Sequence, residues 1–132
     1  MRATAEAEWF EPDQHGTVVN DLTSTGWQVL EFDGGEDVPA LFQEFKTKLP
    51  LDPPISGRVN WDALADSLWS GLNELDALAV ALVWRGAGHL AAVDPQSFRI
   101  AEDVLLTAAE QLSAGQYGAR LGRTVRVLFE RV

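Results

Sequence analysis

The hexapeptide AVALVW at residues 79 to 84 is apolar at every position, and no other feature restricts the available folds as much. A strand with one wet face alternates apolar and polar side chains, because successive residues point to opposite sides of the sheet. A strand that is apolar throughout has to be covered on both faces, which is the situation inside a parallel sheet. The first expectation is therefore an α/β arrangement with this segment near its centre.

The flanking segments supply the rest of such a fold. WQVLEF, residues 27 to 32, alternates with period two, and DGG then marks a turn, so a strand ends near Phe32. Val38, Leu41, Phe42, Phe45 and Leu49 recur at helical spacing, with Asp37 placed as N-cap and Pro39 in the first turn. LPLDPPISG breaks the chain into a loop, after which Asn60 is a second N-cap. Trp61, Leu64, Ala65, Leu68 and Leu72 then form one apolar helical stripe. A longer helical pattern runs from about Pro95 to Ser113, with Ile100, Val104, Leu105, Ala108 and Leu112 facing inward and Gly115 as its stop. TVRVLF, residues 124 to 129, is a final strand. The order strand, helix, helix, strand, helix, strand predicts a small three-stranded parallel sheet packed with three to four helices and joined by right-handed crossovers, spanning residues 27–132. Residues 1–26 are polar and rich in turn formers, and they read as an N-terminal extension with a short strand near Thr17 to Val19.

The chain has 132 residues, 46% of them hydrophobic, enough for one domain with a buried core. Twenty acidic residues against ten basic ones give a formal charge of −10. That balance argues against nucleic acid or an anionic membrane as a direct partner and favours a basic one. Residues 27 to 114 hold fourteen acids and five bases, whereas residues 115 to 132 hold one acid and four arginines, so one part of the surface should be distinctly acidic. There are no cysteines. This removes disulfides, thiolate chemistry and cysteine zinc sites, and it suits a cytoplasmic location. The first residues have no apolar signal-peptide core, and no window is long and apolar enough to span a bilayer.

Motifs for catalysis are scarce. His15 and His89 are the only histidines and have no metal-binding spacing, the serines lie in no nucleophile context, and the glycines at 34 and 35 belong to no phosphate-binding loop. No catalytic residue, metal ligand or cofactor site is expected. Attention falls instead on GRVNWDALADSLWSG, residues 57 to 71, which sets Asp62 and Asp66 one helical turn apart. Like charges at i and i+4 repel and weaken a helix by a few tenths of a kcal/mol. Asp62, in the first turn, interacts favourably with the helix dipole. Asp66 has no local compensation. Trp69 projects between the apolar stripe and this acidic edge, where it is either a boundary residue of the core or part of a hot spot for a cationic surface.

NWDALADSLWSG, taken with LVWRG at 82 to 86 and AEDVLLTAAEQ at 101 to 111, resembles the barstar family of intracellular ribonuclease inhibitors over about residues 27 to 130. The resemblance implies a protein inhibitor, not an enzyme, for a basic, secreted, guanyl-specific ribonuclease of the microbial barnase-like type. As an immunity protein or antitoxin in a bacterial cytoplasm, it would form a 1:1 complex as a monomer. It further implies that Asp62 and Asp66 enter the ribonuclease active site in place of RNA phosphate and that Glu110 adds a further ion pair, with Asn60 capping the helix and contacting the partner. The family's complex with its ribonuclease is a reference case for hot spots and electrostatic steering, so those effects come with the resemblance. This chain departs from the family pattern in the loop before the helix, where Ile55 and Ser56 replace paired tyrosines and Arg58 is inserted. Within the helix, Ala65 stands where the family has tryptophan, and Trp69 follows one turn later. These differences keep open an alternative reading, an acidic interaction module with the same fold that binds a different basic protein.

Overall fold

A computed structural model describes residues 6–120 and 122–132. Four parallel strands, β1 (Glu8–Phe10), β2 (Gln28–Phe32), β3 (Ala79–Trp84) and β4 (Thr124–Glu130), form one sheet in the order β1-β4-β3-β2. Five helices accompany them, α1 (His15–Ser24), α2 (Val38–Lys48), α3 (Trp61–Asn73), α4 (Ala87–Val93) and α5 (Pro95–Ser113). The run AVALVW is indeed an inner strand. It pairs with β2 from Val80↔Gln28 to Trp84↔Phe32 and with β4 from Ala79↔Thr124 to Trp84↔Phe129.

Its two faces are buried against different partners, which is why it carries no polar residue. Val80, Leu82 and Trp84 belong to the large core together with Leu41, Phe45, Leu64, Leu68, Leu105 and Leu112 from α2, α3 and α5. Ala81 and Val83 point the other way, into a smaller cluster with Leu22 of α1, Phe10 and Leu128. The chain crosses the whole sheet from β1 to β2 with α1 on this second face. It then steps back through β3 to β4 with the remaining helices on the first face. Direction and face reverse together, so all the crossovers share one hand. Aromatic rings fill the centre: Trp84 stacks on Phe32 at 5.9 Å and on Phe98 at 5.6 Å, and Phe129 meets it edge-on at 5.4 Å.

The sheet has one strand more than the sequence pattern predicts. β1 is only three residues long, too short for a period-two signal. Two ion pairs reinforce it, Glu8 with Arg126 and Glu11 with Arg131, and Trp9 packs edge-on against Phe129. The strand expected near Thr17 to Val19 is instead part of α1. Its β-branched residues suggest extended chain, but Val18 and Leu22, four apart, need a helix to reach the same apolar cluster. Glu11 and Gln14 form a capping box just ahead of it. Ile100, expected to face inward, is 39% exposed, because α5 turns Phe98, Ala101 and Leu105 to the core instead. Among the described residues no helix is long and apolar enough to cross a membrane.

Candidate functional site

α3 is built to hold its acidic face rigidly. Asn60, in an extended conformation, accepts the amide of Ala63 at 3.0 Å through Oδ1 and so satisfies one of the helix's orphan donors. Leu64, Leu68 and Leu72 are completely buried beneath the helix. Trp61 fixes the first turn by packing edge-on against Phe42 of α2 at 4.9 Å.

The loop from α2 lies directly on the back of the helix. Asp52 donates its amide to the Ser67 carbonyl at 3.0 Å, and a Cβ on Gly71 would stand 1.3 Å from the Pro50 carbonyl oxygen. Only glycine permits that crossing. At the C-terminal end the guanidinium of Arg123, 2% exposed, donates to the carbonyls of Leu72 and Leu75. A buried cation there adds a second donor to the Leu72 carbonyl, bonds the Leu75 carbonyl just past the helix end and complements the helix dipole. Burial lowers the Arg123 pKa from its ordinary value, with Arg120 adding to the effect, but arginine stays charged. Arg120 adds a backbone bond to Asn73 Oδ1 at 3.2 Å.

Asp62 and Asp66 stand together on the exposed side of this helix. Neither has an ion pair or hydrogen bond among the described residues. The pair therefore presents two negative charges to solvent from a backbone fixed at both ends. Trp69, one turn past Ala65, is half-buried and packs against the large core, with its indole nitrogen enclosed and unpartnered. Trp69 is thus a boundary residue between core and surface. Glu110 belongs to a different helix. It is half-buried on α5 and borders a cleft of about 510 Å³ whose walls include Glu6, Glu8 and Arg126, on the flank of α5 that looks toward β1 and β4. Glu8 grips Arg126 with two bonds, at 2.8 and 2.5 Å, and this raises the arginine's pKa.

The residues that fix α3 were the hardest to see in the sequence. Arg123 reads there as one basic residue of a basic tail, and nothing local links it to a helix some fifty positions earlier. Gly71 carries a weak signal, being a glycine inside a helical pattern. The histidines take structural or solvent positions: His15 Nε2 lies 2.5 Å from Glu31 Oε1 and ties α1 to β2, and His89 is exposed. No group of three or more His, Asp or Glu side chains among the described residues could hold a metal ion.

Residues 27–130 fit the family described as Barstar (barnase inhibitor). The chain belongs to the barstar family. No curated protein and no solved structure matches it. The family match begins at Trp27, so β1, which joins the sheet, and α1, which packs on one face of it, lie ahead of the barstar-family region. The description of the barstar family is that of a barnase inhibitor.

Proposed function

We propose that this barstar-family protein inhibits a barnase-like, guanyl-specific ribonuclease by inserting α3 into its active site. The observation that carries the reading is the Asp62–Asp66 pair, exposed, unpartnered within the described chain and mounted on a helix fixed at both ends. A ribonuclease cleft must be lined with cations to bind RNA phosphate. A carboxylate delivered there by a rigid helix competes for the same cations and excludes substrate sterically.

In this reading Asp66 occupies the phosphate position and Asp62 pairs with neighbouring bases. Asn60 holds the first turn and touches the rim, Trp69 borders the contact, and Glu110 supplies a peripheral charge. The inhibitor works as a cytoplasmic monomer, binds 1:1 and catalyses nothing itself. Because α3 is preorganised, little conformational entropy is lost on binding.

The experiment is a titration of purified protein into small guanyl-specific ribonucleases cleaving a fluorogenic RNA. Stoichiometric inhibition of at least one of them, lost in the Asp62→Ala/Asp66→Ala double variant, is expected. Undiminished inhibition by the double variant would remove α3 from the interface. Recovery of a basic partner without ribonuclease activity, bound through the same two aspartates, would favour the interaction-module alternative.

A further inference from the structure

Asp62, Asp66, Trp69 and Asn73 recur at i, i+4, i+7 and i+11 of α3, so the two carboxylates, the boundary indole and a side-chain amide share one stripe. At Asn73 a loop takes over. The Asn73 Oδ1 accepts the amide of Arg120 at 3.2 Å, and the Arg120 guanidinium bonds the Leu75 carbonyl and meets Asp76. The loop is tied at its other end to α5, where Gln116 donates its amide to the Gln111 carbonyl at 3.0 Å. Residues 116 to 120 therefore run from α5 to α3 across the end of the acidic stripe.

The turn in this segment is made from a residue that the fold alone does not favour. Ala119 donates its amide to the Gln116 carbonyl at 3.1 Å, and φ is +56° at Tyr117 and +80° at Gly118. Positive φ at both central positions is the type I′ pattern, where glycine, asparagine and aspartate are the usual residues. A tyrosine at the first of them is strained, because its Cβ crowds the backbone in the left-handed region. Packing does not offset the strain. Ala119 is buried in the core, whereas Tyr117 is 76% exposed and makes no ring contact or hydrogen bond among the described residues. It is the chain's single tyrosine and the only aromatic among the exposed large apolar side chains described.

An exposed tyrosine held in a strained turn, at the margin of a charged face, has the character of an interface anchor. Its ring offers a large contact area with only two torsions to immobilise. Charge selects what the ring meets. A partner that receives Asp62 and Asp66 is cationic, and Arg120, three residues beyond Tyr117, is already engaged with Leu75 and Asp76, so the ring is open to a cation from outside. We propose that Tyr117 is a specificity-determining contact of the inhibitor face, with its ring stacked on an arginine or lysine side chain at the rim of the ribonuclease cleft. The inference rests on the ribonuclease reading and adds to it the residue by which the chain selects among such enzymes. A ribonuclease without a cation at that place on its rim is inhibited less.

Nitration of Tyr117 by tetranitromethane, located by mass spectrometry, reads the contact in the intact protein and in its complex with an inhibited guanyl-specific ribonuclease. Tyr117 should react at least about tenfold more slowly in the complex. Inhibition constants give a second readout. Tyr117→Asn, which suits left-handed backbone, should keep or raise the denaturation midpoint yet weaken inhibition at least about tenfold, mainly through faster dissociation. Tyr117→Phe keeps the ring and should stay within about threefold of the intact protein. Val93→Thr, at an exposed apolar position beyond the other end of α5, should leave inhibition unchanged. Equal nitration of the free and complexed protein, or undiminished inhibition by Tyr117→Asn, would overturn the contact and leave the role of the aspartates standing. Undiminished inhibition by Asp62→Asn/Asp66→Asn would instead overturn the ribonuclease reading, and the Tyr117 contact with it.

Discussion

Asp62 and Asp66 carry the same charge one helical turn apart, yet the chain compensates only one of them. Asp62 lies in the first turn beyond the Asn60 cap, where the dipole favours it. Asp66 lies mid-helix, exposed, and feels only its neighbour's repulsion. Removing it should therefore separate function from stability. Asp66→Ala is expected to leave the denaturation midpoint unchanged or slightly raised, by a few tenths of a kcal/mol. The same variant should raise the inhibition constant by at least about 30-fold, roughly 2 kcal/mol. Glu36→Ala, another exposed acid, should change inhibition by less than about threefold. A parallel loss of stability in Asp66→Ala would show that the residue serves the fold. Asn60→Ala should cost about 1 kcal/mol of stability in a urea titration, since Ala63 loses the oxygen that accepts its amide.

The elements that position the candidate site were those with a long, regular pattern. α3 was legible because five apolar residues recur over three turns above a strong cap, and β3 because it lacks alternation. β1 was not, since three residues establish no period and its pairing partner lies at the far end of the chain. The start of α1 reads as extended chain because its β-branched residues have strand propensity, which the tertiary spacing of Val18 and Leu22 overrides. Seven-residue α4 left no period either. Asp62 and Asp66 could be found from the sequence, but the arginine that fixes their helix could not. Arg123→Met should remove the guanidinium bonds to the Leu72 and Leu75 carbonyls and lower stability by about 1–3 kcal/mol in chemical denaturation. It should also weaken inhibition further than the fraction folded accounts for, because the helix loses its anchor while its carboxylates remain. Glu110 illustrates the limit of motif transfer: its place along α5 was readable, but not that it borders the cleft beside β1.

The whole molecule is acidic, and several of its arginines are drawn inward or paired: Arg123 is buried, Arg126 grips Glu8, and Arg131 meets Glu11. A net charge of −10 makes association with a basic ribonuclease electrostatically assisted. Stopped-flow association rates should fall by at least about tenfold between 0.05 and 0.5 M salt as the Debye length contracts, while dissociation changes far less. Deleting residues 1–14 removes β1 and makes β4 an edge strand, so the shortened chain should be less stable and self-associate in sedimentation velocity. The proposed inhibition rests on the α3 carboxylates standing in for RNA phosphate. The most direct measurement is inhibition of a small guanyl-specific ribonuclease by the intact protein and by Asp62→Asn/Asp66→Asn, which keeps the shape of both side chains and removes both charges. Tight inhibition by the intact chain, competitive with RNA and lost by more than about a hundredfold in the double variant, is the predicted result. Equal inhibition by the two proteins would contradict it.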